Sequence, residues 1–255
     1  MKSNIYQELY KMSHRKSIWL GPLVLLGFML IGALTFPDGG RWIFISGYAS
    51  TLFSIVICVA VSASIFADEY QNRTILALCY RSTTRFKIYF AKFFAIMVYD
   101  VYLLTWCAGI ALIFNQFGFF HATYSLTQTY LFHQPLWMNL LSVMGATWLQ
   151  SLLVMGMVFM IASWMKSNLF AIIAGLVITL LGQGWSDSLL NVQNANFDLL
   201  KWNPLNMLNF ASLVANYSVY YDSYGLTIIQ ECFGLVVYTL LFLGLGYLIF
   251  RKKRV

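Results

Sequence analysis

Charge is what this sequence has least of. Asp, Glu, Lys and Arg make up 10% of its 255 residues, where a soluble domain carries about a quarter. That scarcity excludes a soluble globular fold, because too few polar side chains exist to clothe one. Proline is scarce as well, with four residues in all, so few positions interrupt a helix. The four cysteines frame no disulfide: Cys58 and Cys107 fall inside apolar runs, Cys79 on the expected cytosolic side, and Cys232 alone near one end of the last run. GxxxxGK[ST], HExxH and GxSxG do not occur, so the sequence offers no phosphate loop, zinc-protease pair or serine-hydrolase elbow. Neither a catalytic group nor a metal site is expected.

Hydrophobic residues supply 60% of the chain and aromatics 18%, with a mean hydropathy of +0.71. Apolar runs near the roughly 18 to 20 residues that cross about 30 Å of hydrocarbon recur six times, at 18–36, 42–67, 93–114, 136–165, 168–184 and 226–250. The runs are continuous rather than alternating, so helices are expected in preference to a barrel. The first follows a basic tail as a signal peptide would, but it is long and lacks a small-x-small cleavage site, so it counts as a span. The expectation is an all-α polytopic membrane protein, a single transmembrane domain with six spans.

Basic residues near span ends stay on the cytosolic side. Lys2, Lys11, Arg15, Lys16, Arg73, Arg81, Arg85, Lys87, Lys92, Lys166, Arg251, Lys252, Lys253 and Arg254 fall on one face, fourteen of the sixteen, and only Arg41 and Lys201 on the other. Both termini are therefore expected in the cytosol. The net charge of +7 is topological and implies no nucleic-acid partner. Trp19, Trp42, Trp137, Trp164 and Trp185 sit at proposed span ends, as an aromatic belt would, while Trp106 and Trp148 are interior and expected to pack.

Two cytosolic segments carry information. In the first, residues 1–17, Ile5, Leu9 and Met12 recur at helical spacing while Lys2, Glu8, Lys11 and Arg15 occupy other positions. That pattern predicts an amphipathic helix on the membrane surface. In the second, 68–92, acids lead and bases follow, with Ile75, Leu76 and Leu78 as a short apolar face between them. A small helix there could seat in a groove of a soluble partner.

The order of an acidic residue closing the second span, Thr and apolar residues, then Arg, a hydrophobic position and Ala-Lys opening the third resembles the permease subunits of type-2 ABC exporters. The matching residues are Glu69, Thr74, Ile75, Leu78, Arg85, Ile88, Ala91 and Lys92. Arg73 stands where Gly is common, and Ser82 where Pro is. The resemblance implies that the N-terminal elbow and this loop dock on an ATPase. Glu69, Arg73, Thr74, Ile75, Leu76, Leu78, Arg81, Arg85 and Lys92 would then be the coupling residues. It also implies two copies of the ATPase subunit, which carry the ATP and Mg, and pairing of this chain with itself or a close paralogue in a bacterial plasma membrane. The cargo expected is amphipathic or hydrophobic: an antimicrobial or toxin peptide, a drug or a lipid-like molecule.

Within the outer stretch 185–225, Asn203 and Pro204 begin a 12-residue apolar segment as cap and first turn. At 1.5 Å per residue it reaches only about 18 Å and cannot span. By the resemblance Asn203, Pro204, Leu205 and Leu208 belong to short helices closing an outer gate; the alternative is a helix resting on the leaflet. Asp100 and Glu231 are the acids within spans, each either a pathway or interface residue or a local one. For Asp100 the local reading is a bond to a Tyr or Thr of a neighbouring helix, and for Glu231 a reach to the headgroups. Two other functions compete: an ATP-independent channel or proton-coupled carrier using Asp100, and an intramembrane protease using Glu69 and His121. The protease is opposed by about 30 Å of bilayer between those two residues.

Overall fold

Backbone amides and carbonyls in hydrocarbon must be satisfied from within the chain, and helices do this without a partner strand. The computed structural model describes residues 2–36, 40–71, 84–118, 123–165, 168–192 and 198–252. Among these, regular structure is helical apart from one isolated bridge between Thr129 and Pro135. The helices are α1 (Lys2–Ser13), α2 (Lys16–Thr35), α3 (Gly40–Ile45), α4 (Ser50–Gln71), α5 (Arg85–Phe117), α6 (Leu136–Trp164), α7 (Asn168–Val192), α8 (Asp198–Lys201), α9 (Phe210–Ala215), α10 (Tyr217–Tyr224) and α11 (Ile228–Lys252). Short 3-10 turns occupy Leu131–His133 and Asn206–Asn209.

Six stretches are long and apolar enough to cross a membrane: Ile18–Thr35, Gly40–Ile65, Arg85–Phe117, Leu136–Trp164, Leu169–Ser186 and Ile228–Lys252. They answer to the six expected runs. The third begins at Arg85, earlier than the run at 93–114, because Phe86, Ile88, Tyr89 and Phe90 continue an apolar face across Lys87 and Lys92. The connection expected at 68–92 is correspondingly shorter, since α4 extends to Gln71.

The second and fourth spans form the centre, with 61% and 67% of their most apolar stretch buried, against 28% to 39% for the other four. Around them α2, α5, α7 and α11 present broad apolar faces outward. Hydrocarbon outside the bundle removes the usual hydrophobic gain from helix pairing, so close packing and internal polar bonds must hold it. At Gly246 of α11 a Cβ would lie 3.0 Å from the Met160 backbone and would meet the Tyr89 hydroxyl, so this glycine marks a close crossing with α6. Tyr89 meets Phe159 edge-on at 5.6 Å, joining α5 to α6 at the same level.

The single run at 42–67 is broken. Between α3 and α4, Gly47, Tyr48 and Ala49 take φ values of 60°, 54° and 65°. The break is closed locally: the Tyr48 amide donates to Ile43 at 2.8 Å and the Ser46 hydroxyl to the same carbonyl at 3.0 Å. A Cβ on Gly47 would lie 2.5 Å from the Ser50 hydroxyl and 2.6 Å from Met144. Glycine is therefore required there by both its backbone conformation and its neighbours. A second interruption is repaired from outside. Pro22 inside α2 has no N–H for the Ile18 carbonyl, and the Tyr99 hydroxyl of α5 donates to that oxygen at 3.1 Å.

All five tryptophans expected in the belt are exposed at or near span ends: Trp19, Trp42, Trp137, Trp164 and Trp185. Trp148 packs against the core. Trp106 does not fit its expected role: it is 39% exposed midway along α5, in line with Val98, Tyr102 and Ile113 on an outward face.

Candidate functional site

The described ends of α4, α5 and α11 and the whole of α1 gather at one end of the bundle, beside the connection between Gln71 and Arg85. Helix α1 fulfils its pattern only in part. Met12 is buried and Leu9 packs against the core, with Ile5 half-buried, so the apolar stripe faces α5. Glu8, expected on the polar side, is 6% exposed, and its Oε2 lies 3.1 Å from the Lys92 ammonium. Its other oxygen lies 3.3 Å from Lys11.

Of the expected coupling residues, Arg73, Thr74, Ile75, Leu76, Leu78 and Arg81 lie outside the described residues, as do the expected loop helix and Ser82. Glu69 falls in the last turn of α4, its side chain likewise outside them. Arg85 begins α5 and donates to the Arg251 carbonyl at 2.8 Å, at the C-terminal end of α11 where a cation is favoured. Ile88 and Ala91 are buried in α5. Lys92 was expected on a partner-facing loop; it lies inside the bundle at 1% exposure, because Glu8 is there to meet it.

Asp100 is fully buried halfway along α5. The Ser151 hydroxyl of α6 donates to one carboxylate oxygen and the Cys58 thiol of α4 to the other, at 3.3 Å. The carboxylate therefore ties three helices together. Neither Ser151 nor Cys58 carries a sequence signal for this role, since each sits in an apolar run of another span.

At the opposite end, Asn206–Ala215 turns back into the bundle among α6, α7 and α11. Ten residues at 1.5 Å each reach about 15 Å, too short to cross. The Asn203 side chain accepts the Asn206 amide at 2.7 Å, a capping bond, although the turn it starts is 3-10 before it becomes α. Pro204 and Leu205 are half-buried and Leu208 is enclosed, so the segment is embedded and does not rest on the surface. Amide side chains hold it: Gln183 donates to the Leu208 carbonyl at 2.7 Å, and Gln150 accepts the Ala211 amide at 3.1 Å. Glu231, in the first turn of α11, is fully buried and does not reach outward as a headgroup contact would. Beside this segment opens an apolar cleft of about 600 Å³, lined among others by Phe132, Trp148, Leu149, Phe210, Val214 and Ile228.

Cys58, Cys107 and Cys232 are free thiols. No grouping of three His, Cys, Asp or Glu able to hold a metal occurs among the described residues. His121 lies outside them.

Compared with known families, residues 4–182 match the model described as ABC-2 family transporter protein, from α1 through most of α7. The embedded segment and the last span follow that stretch. No curated protein matches the chain.

Proposed function

The chain belongs to the ABC-2 family of transporter membrane proteins, whose members pair with ATPase subunits, and from that premise we propose that it is the membrane half of an ATP-driven exporter. Two such subunits enclose the pathway, and two ATPase subunits bind the end that carries α1 and the 72–84 connection. ATP and Mg act on those partners. Both termini face the cytosol of a bacterial plasma membrane. One observation supports this reading: α1, the ends of α4 and α5 that flank the 72–84 connection, and the basic end of α11 lie at one end of the bundle. ATP-driven closure of a partner against that face pushes α1 and the connection, and access alternates towards the opposite end. There the embedded segment, with Asn203, Pro204, Leu205 and Leu208, serves as the gate.

The cargo is amphipathic or hydrophobic, in keeping with the aromatic and aliphatic lining of the cleft beside that segment. Asp100 holds the central helices in register and does not couple protons.

Co-purification tests the assembly. A stable complex with an ATPase, lost on Glu69→Arg or Ile75→Asp, is the expected result; ATP-independent flux in liposomes holding this chain alone overturns it. For the cargo, amphipathic peptides, drugs and lipids are expected to stimulate ATP hydrolysis by the complex, and silence towards all three overturns that assignment.

A further inference from the structure

We infer that the buried Glu8–Lys92 pair is the joint through which movement of α1 reaches the third span, an inference that rests on the exporter reading. Lysine is almost never fully buried unless paired. Here Lys92 is 1% exposed, flanked in α5 by buried Ala91 and Phe93, and its ammonium lies 3.1 Å from a carboxylate 84 positions earlier in the chain. Glu8 spans two environments, because its other oxygen is held by Lys11, whose side chain is 43% exposed.

Beside the pair the two helices also share apolar contact, in which Met12 and Leu9 take part. Apolar surfaces hold helices together without fixing how far one slides along the other. An ion pair fixes that register, since any slip leaves a buried charge without its partner. Buried ion pairs are poor sources of stability, and their best-attested use is register. Helix α5 is also fastened where it begins, by Arg85 on the Arg251 carbonyl. Lys92 lies seven residues further along, about 10 Å at 1.5 Å per residue. A displacement of α1 therefore acts on α5 inside the bundle, beyond the turn that Arg85 ties to α11. Glu8 and Lys92 are positioning residues: neither touches nucleotide or cargo.

The decisive variant is the double substitution Glu8→Leu with Lys92→Met. Replacing both charges by apolar side chains of similar size leaves a buried site folded, so loss of function then reports transmission and not collapse. The full chain is reconstituted with the ATPase it co-purifies with, and spin labels are placed at Ser125 and Ser218, both exposed at the opposite end. The wild type is expected to show an ATP-driven change in the distance between the labels. In the double variant hydrolysis persists with its KM unchanged, while the labelled population that responds falls about tenfold. A double variant that folds and responds fully overturns the inference. If it does not fold, Glu8→Asp takes its place, keeping the charge on a shorter arm: a reduced response with hydrolysis retained supports the joint, and an undiminished response overturns it. A wild-type chain that brings down no ATPase overturns the exporter reading, and this inference falls with it. A wild type that couples, beside a double variant that couples equally, sinks the inference alone.

Discussion

The two ends of the bundle solve one problem with different chemistry. Where α1 packs, helices are tied by charge: Glu8 of α1 to Lys92 of α5, and Arg85 of α5 to the last turn of α11. Where Asn206–Ala215 turns back, they are tied by neutral amides: Gln150, Gln183 and Asn203, each bonded to main chain. A charged joint is register-specific, because displacing one helix along the other separates a buried pair held at 3.1 Å. An amide bonded to main chain is more easily remade, since other backbone groups lie nearby and neither state strands a charge. One end is suited to carrying a push without slipping, and the other to opening and closing.

Substitutions at the two ends should separate accordingly. The largest effect is expected for Lys92→Met, which leaves Glu8 without its buried partner and lowers stability by about 3 kcal/mol in thermal unfolding. Adding Glu8→Leu should recover most of that, and a double variant no better than the single would show that packing and not charge governs this end. Gln150→Leu orphans the buried Ala211 amide, at a cost of about 2 kcal/mol. Hydrogen exchange should then rise in the embedded segment but not in α1, and a rise in both would erase the distinction. Asn203→Ala removes one cap and is expected to cost about 1 kcal/mol, again read at the same segment. The smallest effect belongs to Arg85→Gln, under about 1 kcal/mol because the guanidinium is solvent-accessible, and it should shrink further in high salt. A salt response at Gln150 instead would contradict the neutral character of that end.

Much of this architecture was legible in the sequence. Length and hydropathy alone locate six spans, because crossing hydrocarbon demands a minimum apolar run. The five belt tryptophans were found for a similar reason, as each marks a boundary its own ring prefers. Long-range pairing was not legible. Glu8 looks like one more polar position on an amphipathic helix, and nothing in its neighbourhood names Lys92. Asp100 stands out as an acid in a span, but its donors, Ser151 and Cys58, are small residues indistinguishable from packing. Glu231 lies close enough to a span end to reach headgroups, yet it is fully buried. Trp106 misleads in the other direction, since its position within a run gives no azimuth when apolar residues surround the helix. Pro22 is intermediate: it announces a carbonyl needing an outside donor without saying that Tyr99 supplies it.

The left-handed residues at 47–49 divide the second span into pieces that share no continuous ladder of main-chain bonds. A rigid rod levered at one tip must move at the other; a rod with a knuckle need not. On one side of this break α3 is seated on α6, and on the other α4 packs against α5, α6 and α7, so the central layer is built from two pieces joined at a left-handed turn.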